Sequence, residues 1–574
     1  MTQPVVKPRI PPAWQARCSA KREAILSAIP TEWRIRAPIP TPDIQPNVTG
    51  KYVQQYLSPR EVEITESDAE TIVSHTTTGI WTAVEVTSAF CHRAAVAHQL
   101  VPCLLEIFFD RALSTAKELD SYFTTHHKPL GRLHGLPVSL KDQFHISGVE
   151  TTMGYVGWID TFEGKPLNSL PHNERDTESE LVRLLRTSGA VFYCKTSVPT
   201  TLMAGETCNH ILGYTFNPLN RRLSAGGSSG GEGALLALRG SVVGFGTDIG
   251  GSIRVPSAFN GIYGLRPSAG RLPYEGAANS MDGQNTVLSV VGPMATTVQG
   301  LKLMVQAVLA QEPWFADPLV VELPWRHGVE ERVRGGIADK RLTFAFMEDD
   351  GTVRPHLPVQ RALGLVRWLL EQKGHRVIDW NPPSHATAFN IARQMQAWHM
   401  DGGTDVQAHR ALSGEAQLPE CFLQPSEHLN AAQVAALNVK KRNYQKAYMD
   451  YWNSTATLTG TGRPADALIC PACPSVAVRP GKFKCGMYTT FVNVLDYCSA
   501  VFPVTKVDRS VDGGHRPGVP LSEMDAEIQS DYDPDDCHGA PVALQLVGRR
   551  FEEEKVLGLV EYIDGLLSEA AQRM

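Results

Sequence analysis

The feature that most constrains this chain is a run of short apolar strands set apart by helical segments, beginning at Gly135. GLPVSLKD (135–142), AVFYCK (190–195) and SVVGFG (241–246) read as strands. Between the first two, Asp176 caps a helix through Ser188, and Gly189 ends it. Between the second and third, SSGGEGALLALRG reads as a short helix that Ser229 and Glu232 open as a capping box and Gly240 stops. Strands spaced this widely by helices cannot be hairpin partners, so the pattern predicts layered α/β structure.

The flanks fit that frame. Residues 1–60, rich in proline and aromatics, read as an irregular N-terminal arm with one helix near Ser19 to Ser27. Thr65-Glu-Ser-Asp68 has capping-box form and predicts a helix ending at Gly79. Trp81 to His98 and Asp110 to Thr124 read as further helices, a layer that precedes any strand. Residues 320–450 read as more helical, with one long amphipathic element in AAQVAALNVKKRNYQKAYMDYW. Strands return in DALICPA and APVALQLVGRR, a last helix covers Glu552 to Ser568, and the Asp, Gly and Pro of Lys506 to Asp536 place that segment on the surface. A sheet using early and late strands requires one intertwined unit, for which 574 residues with 43% hydrophobic side chains are ample. The expected fold is therefore α/β: a single large domain, 61–574, with a central mixed, mostly parallel twisted sheet covered by helices on both faces. Its strand–helix core spans about 130–310 and a helical insertion about 320–450.

Charge and cysteine usage remove several function classes. With 54 basic and 60 acidic side chains the formal charge is −6, and no basic stripe offers a face to nucleic acid or an anionic membrane. No apolar stretch approaches the roughly 20 residues of a membrane span. MTQPVVKPRIPPAWQARC lacks the apolar block of a secretion signal and AAQRM carries no address, so the expectation is a cytoplasmic protein. The 11 cysteines read as reduced buried thiols; the single CxxC, Cys470 to Cys473, has no second pair at zinc spacing.

The chemistry concentrates in GFGTDIGGSIRVP (244–256), which admits three readings. As a nucleotide cradle it fails, because Ile249 stands where GxGxxG requires its third glycine, and there is no GxxxxGK[ST]. As a nucleophile elbow, GxSxG is met around Ser228 and Ser229, but the preceding NRRLSA is too polar for a central strand and spacing selects none of the 18 histidines. The third reading centres on Ser252. Glycines at 250 and 251 let the main-chain N–H groups of residues 249–252 converge on a developing oxyanion, which a serine in the same turn creates by attacking a carbonyl. This reading lacks a local base.

At this point the segment GGSSGGEGALLALRGSVVGFGTDIGGSIRVPSAFNGIYGLRPSAGRLP, with GLPVSLKD about ninety residues upstream, resembles the amidase signature family. KREAILSAIPTEW, TTMGYVGW, AVFYCKTSVP, ANSMDGQNTVLSVVGP and HGAPVALQLVGRR extend the resemblance over nearly the whole chain, closest to fungal acetamidase-like members. The resemblance implies a catalytic set of Lys141 as base, Ser228 as relay, with a cis peptide bond, and Ser252 as nucleophile. It further implies Ile249, Gly250, Gly251 and Ser252 around the oxyanion, and Leu202 and Met203 lining the acyl pocket, where plain core packing is the alternative. No metal or cofactor is implied, and the partner is a small-molecule amide, aliphatic or aryl, cleaved to carboxylate and ammonia through an acyl-enzyme. Ester hydrolysis or acyl transfer in a specialised metabolic or detoxification pathway, and a non-catalytic scaffold subunit, stand as alternatives; a homodimer is among the open assembly states. Strand alternation turns Asp142 away from Lys141. Asp248 and Arg254 read as an ion pair that shapes the loop, and Ser229 as the helix cap.

Overall fold

In a computed structural model the described residues are 13–171, 177–395, 400–422, 425–514 and 518–573; Asp176 lies outside them. Eleven strands form one sheet: β1 (Leu104–Ile107), β2 (Pro137–Lys141), β3 (Val191–Thr196), β4 (Val243–Asp248), β5 (Tyr263–Arg266), β6 (Val290–Ala295), β7 (Thr343–Phe346), β8 (Arg376–Asp379), β9 (Ala467–Pro471), β10 (Ser499–Lys506) and β11 (Pro541–Val547). Their spatial order is β1-β3-β2-β4-β6-β5-β10-β11-β9-β7-β8. The early and late strands thus share one sheet, and a single α/β domain results.

The sheet is mixed, but it is not mostly parallel. Four pairings are parallel: β3 with β2, β2 with β4, β9 with β7 and β7 with β8. The other six are antiparallel. The reading from strand–helix alternation holds where crossover helices occur and fails in the middle of the sheet. There β6, β5, β10 and β11 follow loops or long excursions whose return direction no local periodicity encodes. β1 also corrects the helical layer, because it follows the helix Ala83–Leu100 and pairs antiparallel with β3 at the sheet edge. Residues 320–450 likewise contribute β7 and β8 as well as the helix Ala431–Ser454.

Local signals were partly reassigned. The helix Ala69–Thr77 is capped by Asp68, which accepts from the Thr71 amide at 2.7 Å, whereas Thr65 sits in the preceding helix Pro59–Glu66 and donates to the Glu61 carbonyl. Every residue of β2 and of β4 is buried, as expected for strands covered on both faces. The helix Gly230–Ala237 packs on β2, β4 and β6, and Ala83–Leu100 on β2 and β3. All eleven cysteines are unbridged, and Cys470 and Cys473 are buried. No helix among the described residues is long and apolar enough to cross a membrane.

Candidate active site

β2 and β4 run parallel, Gly244 opposite Ser139 and Phe245 opposite Leu140, so their C-terminal ends place Lys141 and Thr247 side by side. Crevices beyond the carboxyl ends of parallel strands are the usual ligand sites of such sheets. Lys141 is fully buried, and Nζ is in hydrogen-bond contact with Ser228 Oγ and with Thr247 Oγ1, each at 2.8 Å. Burial pushes its pKa down to about 7, against the opposing pull of Asp248 and Glu232. Asp142, the next residue, points the other way: Oδ1 is 3.0 Å from Lys195 Nζ, while Oδ2 accepts from the amides of Thr152 and Met153 and the Thr152 hydroxyl. Its charge is therefore spent away from Lys141.

Ser228 reaches this lysine from the turn before the helix Gly230–Ala237, and the Gly227–Ser228 peptide is cis. NRRLS before it is a strand, Asn220–Ser224, but it pairs only in a small ladder outside the main sheet. Ser229 does not cap the helix: its side chain makes no cap bond, and its Oγ is buried without a hydrogen-bond partner. Steric fit explains its place. A Cβ on Gly246 would lie 2.6 Å from Ser229 Oγ, so glycine at 246 lets the helix sit directly on β4. Glu232, the other half of the expected box, instead accepts from Ser139 Oγ on β2 at 2.9 Å.

Ser252 follows β4 in a loop that Asp248 organises. The Asp248 carboxylate accepts from the Gly251 amide (2.8 Å) and the Ile253 amide (3.2 Å) and pairs with Arg254 through Nε (3.1 Å) and Nη2 (3.0 Å). Burial alone would raise its pKa, but Arg254 and the hydrogen bonds hold it well below the usual carboxylate range. Arg254 continues to the Thr489 carbonyl, Asn493 and Gln545, which ties the loop to β11 and to the helix Met487–Leu495. Gly251 has φ 134°, and a Cβ there would lie 2.4 Å from Thr489 Oγ1, so two constraints demand glycine. The expected set of converging amides narrows: Gly251 N–H is committed to Asp248, whereas those of Ile249, Gly250 and Ser252 find no acceptor among the described residues. The Ser252 carbonyl accepts from the Ser229 amide at 3.1 Å, locking the two serine-bearing turns together.

Ser252 borders two cavities. One, of about 350 Å³, is lined by Ser228, Thr247, Gln143, Tyr274 and Asn279 among others. The second, of about 280 Å³, is more apolar, walled by Val255, Phe389, Phe422 and Phe483. Leu202, Met203, Ile249 and Ser252 line both, while Gly250 and Gly251 line only the second. Thr201 and Leu202 adopt φ 75° and 63°, a left-handed backbone rare for such side chains, which sets Leu202 between the cavities. Thr247 and Gln143 escaped the sequence reading. Gln143 stands in the turn that follows β2, and its partner Thr247 lies on another strand, a juxtaposition that no local signal carries. No group of three His, Cys, Asp or Glu side chains among the described residues is placed to hold a metal ion.

Comparison with known proteins agrees with the resemblance. The family described as Amidase matches residues 85–557. The acetamidase of Aspergillus oryzae is 46% identical over 97% of this chain and 99% of its own length, and that of Emericella nidulans is 42% identical over the same shares. Among solved structures, a fatty acid amide hydrolase superposes with TM-score 0.86 at 32% identity, covering 97% of this chain and 95% of that one.

Proposed function

Because this chain belongs to the amidase signature family and is an amide hydrolase, we propose that it cleaves its substrate through Lys141, Ser228 and Ser252 by way of an acyl-enzyme. The observation that carries the reading is the 2.8 Å contact of a buried, carboxylate-free Lys141 with Ser228 Oγ, beside the cavity that Ser252 shares. An amine titrating near neutrality accepts a proton at working pH, where an ordinary lysine, near pKa 10.4, does not.

Neutral Lys141 takes the Ser228 proton, Ser228 takes that of Ser252, and Ser252 Oγ bonds to the carbonyl carbon. The oxyanion is held by the free amides around Ile249, Gly250 and Ser252. The same path reversed hands the proton to the amide nitrogen, which leaves as ammonia. Water then cleaves the ester to release carboxylate and restore Ser252. The substrate proposed is a small aliphatic or aryl primary amide. Resemblance to two acetamidases supports the small end, and the wall of Phe389, Phe422 and Phe483 supports aryl acyl groups as well.

Two experiments test this. Ammonia release from primary amides of graded acyl size locates the optimum. Ser252→Ala should abolish turnover and labelling by a fluorophosphonate; a fully active variant refutes the assignment.

A further inference from the structure

The two partners of Lys141 Nζ, Ser228 Oγ and Thr247 Oγ1, are both hydroxyls at the same 2.8 Å. A neutral amine offers two N–H donors and one lone pair, and a hydroxyl donates or accepts as its rotor allows. A base acts on Ser228 only if its lone pair is aimed there. The two contacts alone leave that choice open.

Residues further along close it. Thr247 Oγ1 lies 2.7 Å from Gln143 Oε1, an amide oxygen that only accepts, so the single Thr247 proton is committed to Gln143. Gln143 presents its oxygen to Thr247 because its Nε2 donates to Tyr274 OH (2.8 Å) and Asn279 Oδ1 (3.0 Å). Tyr274 OH donates to the same Asn279 oxygen at 2.9 Å. Asn279 in turn is oriented by its Nδ2, which donates to the Ala277 main-chain carbonyl at 3.2 Å. A main-chain carbonyl has no proton to give, so the chain ends on a group of unalterable polarity and every link inherits its direction. Gln143 is 1% exposed and Thr247 3%, so both are held by their neighbours although each borders the cavity. The charged or titratable groups that face Lys141 are Asp248, bound to Arg254, and Glu232, bound to Ser139; Asp142 is turned to Lys195.

We propose that Gln143 is a positioning residue for the general base: by making Thr247 an obligate acceptor it commits one Nζ–H of Lys141 and leaves the lone pair for Ser228. The proposal rests on the reading of Lys141 as the base.

The test follows the labelling rate of Ser252 by a fluorophosphonate against pH, on the full chain, with Ser252→Ala as the control for the triad. In Gln143→Leu the Thr247 hydroxyl is released to donate to the lysine lone pair in competition with Ser228. The plateau rate should fall about tenfold, and the acid-limb midpoint should move to lower pH, because a hydrogen bond donated to the neutral amine favours that form. Mere loosening of the site admits water and moves the midpoint up, toward the ordinary lysine value. In a Thr247→Val background Gln143→Leu should cost nothing further. Asn279→Ala, at a partly exposed position, should shift rate and midpoint in the same directions by a smaller amount, and it protects the test against a Gln143 variant that fails to fold. An upward midpoint, or equal losses with and without Thr247, overturns the proposal while unlabelled Ser252→Ala leaves the triad standing. Undiminished labelling of Ser252→Ala overturns the triad and the proposal with it.

Discussion

Two lysines on adjacent parallel strands, Lys141 at the end of β2 and Lys195 on β3, are both fully buried, yet their surroundings are opposite. Lys195 meets the Asp142 carboxylate at 3.0 Å, the Glu150 carbonyl at 2.8 Å and the Thr151 hydroxyl at 2.6 Å. Among the described residues Lys141 meets only two hydroxyls. Burial without a contacting carboxylate is what the base proposed at Lys141 requires. Asp142 separates the two cases, being covalently next to one lysine and paired with the other.

The largest effect expected from breaking this arrangement is catalytic. Lys141→Ala should lower kcat/KM for an amide by about 10³–10⁴-fold and for the matching ester by far less, because only the amide nitrogen must be protonated to leave. Steady-state kinetics on an amide and ester pair checks this, and equal losses would refute the role in leaving-group protonation. On the Lys195 side the effect is on stability. Asp142→Asn leaves a buried cation without its counter-charge and should cost about 3–5 kcal/mol, read by urea denaturation. Gly246→Ala should cost about 1–3 kcal/mol, since its Cβ would stand 2.6 Å from Ser229 Oγ and push the Ser228 turn off β4.

The pH dependences test the Lys141 side a second time. Lys141 binds its proton less readily folded, with a pKa of about 7, than unfolded, near 10.5. Between those values the unfolded chain holds more protons, so this group's contribution to stability rises with pH from 7 to 10.5. Lys141→Met should flatten that slope: denaturation midpoints of variant and wild type should converge toward pH 10.5 and differ most below pH 7. In kcat/KM the same group should appear as an acid limb centred near pH 7, with activity lost below it.

Much of this was legible in the residues. Lys141, Ser228 and Ser252 stand in contiguous motifs, and the strands around Leu140, Phe192 and Phe245 announce themselves by apolar runs between helix stops. β7, β8 and β10 did not. The first two fall in a stretch dominated by helical periodicity, and β10 carries no turn signal that ties it to β11. The apparent capping box of Ser229 and Glu232 misled for a tertiary reason: Ser139 on β2 takes the carboxylate, and contact with β4 takes the hydroxyl.

The glycines of GFGTDIGGS illustrate the division. Their identity excluded a phosphate cradle, through Ile249, and pointed to a nucleophile at Ser252, because local chemistry of that kind is written in adjacent residues. Their individual reasons were settled only in three dimensions. Gly246 is there for a helix that packs on β4, and Gly251 for Thr489, more than two hundred residues away. The same holds for the partners of Lys141 and Lys195: which carboxylate reaches which amine depends on strand register and facing side chains, and such distances arise only once the sheet has formed.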